Sequence, residues 1–470
     1  MRTLLILALF CAPLLYAQDD PVVGPAPKPG QAEFKDGEDA FTEGRMQEAV
    51  VAFTKALNAQ PKNDEALGYR AAAYVALGKL DEAWSDVEEA VKLSTNFSLA
   101  WNTRGYIRWL RKDLSAAIED YTAAIAYGTD DRRIDDAGRA QMFQNRGIAY
   151  QDAGNTDRAL LDFNSCIDLQ PKNPAFFENR GLIFVDKQLF DIAFKDFDRA
   201  LELDPKNARA YVNRASAARL MGDYEQAVRD YSQALRLKEN YAQALIGRGY
   251  TWFGWDRAEL ARNDFAAASK VEGFAAAGEV GLGDLDLAKG ELAAAEKHFK
   301  LAVSLDPNNL GARAGLARTY LQQQNFENAS VTAATLCAMQ PGEARYWSLL
   351  SDARMGSGSW EEALVALNRT LDLVPDDMGT HARRLRCYAK LKMFKTANGE
   401  AQWLLERDYG KGLVEAARVH AIENGAGSLN GIVNSLTQAK AAGEDLSALA
   451  DDPDFAAFKE DPKFKALVGK

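Results

Sequence analysis

Residues 222–239 read GDYEQAVRDYSQALRLKE, and this pattern of small, aromatic and charged residues recurs along most of the chain. The segments 44–61, GRMQEAVVAFTKALNAQP, and 290–307, GELAAAEKHFKLAVSLDP, share the same frame. When the frame is numbered from Gly30, position 20 of every copy is alanine: Ala49, Ala83, Ala117, Ala159, Ala193, Ala227, Ala261, Ala295, Ala329, Ala363 and Ala397. Successive alanines are 34 residues apart, except for a step of 42 between Ala117 and Ala159. A period of this length predicts a stack of short structural repeats.

Two further positions indicate that each copy forms a pair of helices. Position 24 is aromatic in most copies: Phe53, Tyr121, Phe163, Phe197, Tyr231, Phe265 and Phe299. Position 32 is often proline: Pro61, Pro171, Pro205, Pro307, Pro341 and Pro375. Small residues at positions 8 and 20 let two antiparallel helices approach closely, and the proline begins a connection because it cannot continue a helix. The apolar residues recur at helical spacing, which predicts helices and no strands.

Small residues at positions 8, 20 and 27, aromatic residues near 4, 11 and 24, and proline at 32 together resemble the tetratricopeptide repeat. The resemblance covers residues 30–411, which we interpret as about eleven helix-turn-helix units. It implies an all-α fold, a right-handed α-solenoid in which the first helix of each unit, helix A, lines the concave side. The units must stack because none can bury its apolar face alone.

Arginine occupies position 7 of seven copies, where the family pattern has leucine: Arg70, Arg104, Arg146, Arg180, Arg214, Arg248 and Arg384. Position 23, on the second helix of the same copies, is acidic: Asp86, Asp120, Asp162, Asp196, Asp230, Asp264 and Glu400. The other four copies have neither residue. We interpret this coincidence as partly buried ion pairs, within a unit or to its neighbour, because a buried arginine without a carboxylate is costly. The alternative is a row of ligand-binding arginines.

The resemblance also indicates which face would bind a partner. Position 6, on the groove side, is asparagine in three consecutive units, and its amide can bond an extended peptide backbone as in other family members. Positions 2, 5, 9, 12 and 13 add apolar side chains that suit a segment with apolar anchors. The predicted peptide-binding residues are Tyr106, Trp109, Asn145, Ile148, Asn179, Leu182, Asn213, Arg219, Tyr250 and Phe253. The alternative is that several of them pack between units.

The first residues of the chain predict export. Residues 1–17, MRTLLILALFCAPLLYA, combine one basic residue, an apolar core and a final alanine, which is typical of a secretory signal peptide. The apolar run is shorter than the roughly 20 residues of a membrane-spanning helix, so a retained anchor is the less favoured alternative. Residues 18–29 are rich in proline and predict a flexible tether. We therefore expect a periplasmic or secreted protein with no integral membrane segment after cleavage.

Two segments depart from the repeat. Residues 132–139, RRIDDAGR, are inserted between units 3 and 4, and we interpret them as a tolerated surface loop or a longer helix. Residues 412–470 read as degenerate helices followed by a cap. Asp452-Pro453 and Asp461-Pro462 are helix start signals. The residues expected to cover the open end of the stack are Leu446, Leu449, Phe455, Phe458, Phe464 and Leu467.

Composition and motifs indicate binding rather than catalysis. The chain is 47% hydrophobic with a net charge of −11, which suits a large soluble protein and argues against a nucleic-acid partner. Beyond the predicted signal peptide, three sparse cysteines, Cys166, Cys337 and Cys387, fit buried thiols rather than a disulfide framework. No HExxH, GxSxG or phosphate-binding loop is present, and the three histidines are far apart. The sequence predicts no enzyme, no cofactor and no metal site.

Two functional classes follow from these patterns. The first is an exported, non-enzymatic scaffold or adaptor that binds protein or peptide segments in its concave groove. The second is an accessory subunit or chaperone in cell-envelope assembly, or in polysaccharide or lipid handling. The sequence does not identify the partner or the oligomeric state.

Overall fold

The computed structural model describes residues 29–129, 131 and 134–469, and these ranges contain helices and no β-strand. The predicted signal peptide and nearly all of the predicted tether lie outside the described residues, as do Arg132 and Arg133 of the insertion. No helix in the described ranges is long and apolar enough to span a membrane. The all-α helical repeat solenoid predicted from the 34-residue period is confirmed.

Helices A and B alternate through eleven units, with odd numbers for helix A and even numbers for helix B. In the first six units they are α1 (Gln31–Thr42), α2 (Met46–Ala59), α3 (Asp64–Ala76), α4 (Leu80–Leu93), α5 (Ser98–Leu110), α6 (Leu114–Gly128), α7 (Asp136–Asp152), α8 (Thr156–Leu169), α9 (Pro174–Asp186), α10 (Phe190–Leu203), α11 (Ala208–Leu220) and α12 (Tyr224–Leu237). In the next five they are α13 (Ala242–Gly254), α14 (Ala258–Ala268), α15 (Ala275–Ala288), α16 (Leu292–Leu305), α17 (Leu310–Gln322), α18 (Phe326–Met339), α19 (Ala344–Gly356), α20 (Trp360–Leu373), α21 (Met378–Lys390) and α22 (Phe394–Arg407).

The chain divides into two compact bodies, one ending at Gly247 and the other beginning at Arg248 within α13. In both bodies, helix A packs against helix B of its own unit and helix B packs against helix A of the next. Successive A helices also contact each other, as α3 does with α5 in the first body and α15 with α17 in the second. No two successive B helices in the described ranges make a contact of similar extent. The A helices therefore form the narrower layer of each body.

The close approach of helices A and B depends on a small residue facing an aromatic ring. The ring of Phe197, at position 24 of unit 5, is fully buried. A Cβ atom on Gly181, at position 8, would lie 2.6 Å from that ring. Glycine meets the position-24 ring in the same way in other units: Gly37 with Phe53, Gly105 with Tyr121, Gly147 with Phe163, Gly249 with Phe265 and Gly283 with Phe299. The packing role predicted for the small and aromatic positions is confirmed.

The insertion between units 3 and 4 lengthens a helix. Asp136–Arg139 form the first turn of α7, and the Asp135 side chain accepts a hydrogen bond from the backbone N–H of Gly138 as its N-cap. Ile134 is buried against Ala124 of unit 3 and Met142 of α7. For these residues the longer-helix interpretation is confirmed.

The C-terminal segment contains two further long helices, α23 (Tyr409–Asn424) and α24 (Leu429–Ala441), and ends with α25 (Pro462–Val468). Short 3-10 helices connect them: η1 (Gly425–Ser428), η2 (Ser447–Asp451) and η3 (Pro453–Phe458). The side chains of Asp452 and Asp461 cap η3 and α25, so both predicted helix starts are confirmed. The apolar cap residues pack on α23 and α24: Leu446, Leu449, Phe455, Phe458 and Phe464 are buried, and Leu467 is half-buried.

Gly181→Ala is expected to destabilise the protein by about 1 to 3 kcal/mol, because the added methyl group would overpack the contact with Phe197. The matched control is Gly399→Ala in α22, where nothing lies within 4 Å of the added Cβ. That change should stabilise the protein by up to about 1 kcal/mol through helix propensity. Urea unfolding followed by circular dichroism measures both, and equal effects of the two variants would contradict this account of the packing.

Candidate functional site

The arginines at position 7 form ion pairs with the acids at position 23 of the same unit. Arg180 Nε donates to Asp196 Oδ2 at 2.8 Å, and Arg180 Nη2 donates to Asp196 Oδ1 at 2.7 Å. The same bidentate geometry joins Arg70 to Asp86, Arg104 to Asp120, Arg146 to Asp162, Arg214 to Asp230 and Arg248 to Asp264. Arg384 Nη2 binds Glu400 at 2.7 Å. The predicted ion pairs are confirmed, and each lies within one unit.

The carboxylates of these pairs lie deeper than the arginines. The Asp162 side chain is 4% exposed and that of Arg146 is 17% exposed. Burial raises the pKa of Asp162, although the hydrogen bond and charge of Arg146 act in the opposite direction. The guanidinium groups of several arginines also lie over aromatic rings, as that of Arg180 does at 5.7 Å from the centre of the Phe177 ring. These arginines are part of the interhelical packing and are not a free ligand-binding row.

Most of these arginines also bind a third group, which the sequence analysis missed. Arg180 Nη1 donates to Asn164 Oδ1 at 2.8 Å, and Asn164 lies at position 25 of the preceding unit. Arg70 binds Thr54, Arg104 binds Glu88, Arg146 binds Thr122, Arg214 binds Asp198 and Arg384 binds Asn368 in the same way. The signal was available, because position 25 is a hydrogen-bond acceptor before arginine units but Ala266, Lys300 or Ala334 before units 8 to 10.

Leucine replaces arginine at position 7 in units 8 to 10, and two histidines add contacts between helices in units 8 and 11. Leu282, Leu316 and Leu350 occupy position 7 of units 8 to 10 and are buried. Unit 8 additionally places His298 at position 23, with its Nδ1 atom 2.6 Å from Glu279. In unit 11, His381 stacks on Trp403, and its Nδ1 atom lies 2.7 Å from Glu400. These two histidines take part in packing between helices.

Three of the predicted peptide-binding residues are interior. Tyr106 and Trp109 stack on each other, and each is less than 5% exposed. Trp109 Nε1 donates to Asp152 Oδ2 of unit 4 at 2.9 Å. Asn145 Nδ2 donates to Asn102 Oδ1 of unit 3 at 3.0 Å. These side chains join units 3 and 4 and offer little surface to a partner in this structure.

The other predicted residues are partly or fully accessible and do not form one cluster. Ile148 packs partly between units, Asn213 donates to the buried Glu178 at 3.4 Å, and Arg219 lies beside Tyr231. In the second body, Tyr250 and Phe253 are half-buried in one apolar cluster. Asn179 is half-buried, and Leu182 is 37% exposed. Asn179 and Leu182 therefore remain the strongest candidates for contact with a partner.

Glu178, which the sequence analysis did not single out, organises this part of the A-helix layer. Its side chain is 1% exposed and accepts hydrogen bonds from Asn207 at 2.7 Å and Arg209 at 2.8 Å. Since Asn207 also caps α11, Glu178 fixes the start of unit 6 against unit 5. The neighbouring side chains Asn179 and Leu182 are thereby presented from a rigid helix.

A second buried ionic cluster joins the C-terminal cap to the stack. Arg418 on α23 would occupy position 7 if a further unit began at Gly412, but it binds Glu415, Asp452 and Asp454. Asp454 is also 2.6 Å from Arg386 and from Lys390, both on α21. Burial acts to raise the pKa of Asp454, but the hydrogen bond to Lys390 and the surrounding cations lower it overall. The cap thus supplies the acids that this arginine requires.

The cysteines beyond the predicted signal peptide are buried thiols. The three cysteines are buried, and burial raises the pKa of Cys337 to about 11 and that of Cys387 to about 12. Among the described residues, no group of three or more histidine, cysteine, aspartate or glutamate side chains could hold a metal ion.

Comparison with known sequences agrees with this geometry. Residues 40–84, 145–208, 208–241 and 286–353 match sequence profiles of the tetratricopeptide repeat. The chain belongs to the tetratricopeptide repeat family. Similar solved structures include a tetratricopeptide repeat protein from Parabacteroides merdae, with 24% identity, a TM-score of 0.47 and coverage of 55% of this chain and 98% of that one. Yeast Tom70 has 15% identity and a TM-score of 0.46, covering 81% of this chain and 97% of that one.

The curated relatives of this family member match over short regions. Hsp70-Hsp90 organizing protein of Triticum aestivum is 27% identical over 130 residues, which are 27% of this chain and 22% of the relative. RNA polymerase II-associated protein 3 of Xenopus tropicalis is 36% identical over 89 residues, which are 19% of this chain and 14% of the relative. The chain thus spans about a fifth or less of the length of these two relatives.

Asp196→Ala is expected to lower the free energy of unfolding by about 2 to 4 kcal/mol, because it leaves Arg180 partly buried without its carboxylate. The double variant Arg180→Leu/Asp196→Ala reproduces the combination in unit 10, Leu350 with Ala366, and should recover most of the loss. Urea unfolding of the two single variants and the double variant measures the coupling.

The control is Arg199→Ala, which removes an exposed ion pair with Glu202 and should change stability by less than about 0.5 kcal/mol. Strictly additive losses for Arg180 and Asp196 would show that the pair is not coupled.

Proposed function

We propose that this family member is a non-enzymatic adaptor that binds an extended protein segment on the A-helix layer of units 5 and 6. The supporting observation is that Asn179 and Leu182 project from α9 with accessible side chains, one turn apart. Leu220, at the end of α11, is 49% exposed and adds a second apolar surface in the next unit. We call Asn179, Leu182 and Leu220 the unit 5–6 face.

The chemistry of the unit 5–6 face suits a peptide with apolar side chains. The amide of Asn179 has no hydrogen-bond partner within the described ranges and can both donate to and accept from a peptide backbone. Leu182 and Leu220 would contact apolar side chains of the bound segment. Since Glu178 fixes α9 against α11, the face is formed before binding, which reduces the entropic cost of association.

The charged side chains of α9 and α11 are engaged within the protein. On α9 and α11, Glu178, Arg180, Arg209 and Arg214 are engaged in hydrogen bonds or ion pairs. Asp186 accepts a hydrogen bond from Gln151, and Arg219 lies beside the hydroxyl of Tyr231. None of these groups is left as an acid or base beside the unit 5–6 face.

A library of random peptides displayed on phage, selected against the protein from residue 18 onward, is expected to give binders with spaced apolar residues. Leu182→Asp should weaken such binders by at least about tenfold, because it places a charge in the apolar contact. The matched control is Leu161→Asp on helix B of unit 4, where Leu161 is 66% exposed on the opposite layer. Fluorescence anisotropy with a selected peptide measures both.

Selected peptides that bind Leu182→Asp and Leu161→Asp equally well would contradict the assignment of the face. Crosslinking in membrane extracts provides a second test. Recovery of a multi-subunit envelope complex, rather than a single protein segment, would favour an accessory-subunit role instead.

We further propose that the protein is exported to the periplasm or beyond, on the pattern of residues 1–17 alone. When the full chain is produced in a Gram-negative bacterium, the mature protein should begin at Gln18 and fractionate outside the cytoplasm. Leu7→Arg, which interrupts the apolar core, should leave the uncleaved chain in the cytoplasm. N-terminal sequencing and cell fractionation provide the measurement. A mature protein that retains Met1 in the cytoplasm would refute export.

A further inference from the structure

A cavity of about 430 Å³ lies between unit 11 and the C-terminal cap, within the second body. Its floor is apolar and includes Met378 and Ala382 of α21 and the buried Leu446. We call this space the C-terminal cavity. It is separate from the unit 5–6 face, which belongs to the first body.

The rim of the C-terminal cavity is strongly acidic. Five carboxylates line it, from Asp376, Asp377, Glu415, Glu444 and Asp445, and the one cationic lining residue is Lys411. The Lys411 ammonium lies 3.1 Å from Asp408, so it is already paired. Elsewhere in the stack, a buried carboxylate such as Asp196 has an arginine beside it. Of the rim acids, Glu415 is paired with Arg418, and Asp377 lies 3.8 Å from Arg383. The other three, Asp376, Glu444 and Asp445, form no ion pair within the described residues.

These three carboxylates differ in their surroundings, and the charge of Lys440 also acts on one of them, Asp445. Glu444 is half-buried and packs against Gly410. A Cβ atom added to Gly410 would lie 2.7 Å from the Glu444 side chain. Asp445 accepts a hydrogen bond from the backbone N–H of Ser447, which lowers the pKa of Asp445 and keeps it ionised. Asp376 is exposed, and no ion pair to it occurs within the described residues. The rim therefore presents negative charge above an apolar floor, with Glu444 and Asp445 positioned by these contacts.

We propose that the C-terminal cavity binds a lysine or arginine side chain from a basic, partly apolar segment of a partner protein. The aliphatic stem of such a side chain would cover Met378 and Ala382, while its charge would lie among Asp376, Glu444 and Asp445. Long cationic side chains bury their stems against apolar surface and keep their charge at the polar edge. The acidic rim also excludes acidic segments, so the cavity selects the partner by charge as well as by shape.

The test uses a peptide labelled at its N-terminus, fluoresceinyl-Gly-Leu-Lys-Leu-Gly-amide, and two matched peptides with norleucine or glutamate in place of lysine. The lysine peptide should bind the wild-type protein at least about threefold more tightly than either matched peptide. Asp376→Asn/Glu444→Gln should remove this preference, and Glu444→Lys should weaken the lysine peptide further. Fluorescence anisotropy at low and moderate salt measures the affinities, and circular dichroism verifies the fold.

The control variant Glu361→Gln/Glu362→Gln removes two exposed acids from α20 and should leave the preference unchanged. A loss of lysine-peptide binding in this control equal to that in Asp376→Asn/Glu444→Gln would overturn the proposal, because the attraction would then reflect only the net charge of −11. Equal binding of the lysine and norleucine peptides to the wild-type protein would overturn it as well. Leu182→Asp should not affect the lysine peptide, so failure here is distinguishable from failure of the unit 5–6 face.

Discussion

The contact between a small residue at position 8 and an aromatic ring at position 24 determines the distance between the two helices of a unit. Gly181 packs against the ring of Phe197. At this helix spacing the preceding residue, Arg180, reaches both carboxylate oxygens of Asp196 through its Nε and Nη2 atoms. Alanine at position 8 of units 2 and 6 keeps the bidentate bond, whereas Leu385 at position 8 of unit 11 accompanies a single bond from Arg384 to Glu400. The glycine of the Asn-Arg-Gly tripeptide thus supports the arginine beside it, and the asparagine is left to face outward or to join the next unit.

The helices and the ion pairs could be predicted because eleven copies of one pattern lie in one chain. Residues that packing does not require vary from copy to copy, whereas residue types that packing requires recur. The recurring alanines at position 20 and aromatic residues at position 24 therefore identify the helix pair. The coincidence of Arg180 with Asp196 was visible within a unit. The bond from Arg180 to Asn164 was missed because position 25 was not compared with the following unit.

The accessible surface was harder to predict, because it depends on how far one A helix lies from the next. Trp109 occupies a position expected to face a groove, but it reaches Asp152 of the next unit and is buried. Leu182 occupies position 9 and is exposed, while Tyr106 at position 9 is not. The exposure of the side chain at a given repeat position therefore depends on the side chains that surround it in its own and neighbouring units. The C-terminal cavity could not be predicted at all, since its rim depends on the irregular segment around Glu444.

The bond from most of the arginines back to position 25 of the preceding unit makes the order of the units matter. An arginine unit can follow unit 4, where Asn164 accepts its donor, but it would find Ala266 after unit 7 and Lys300 after unit 8. A leucine unit has no such requirement and can follow either kind. Duplication, deletion or exchange of units is therefore constrained at each junction by the residue at position 25 of the preceding unit. Units of equal length in this protein therefore cannot be exchanged freely.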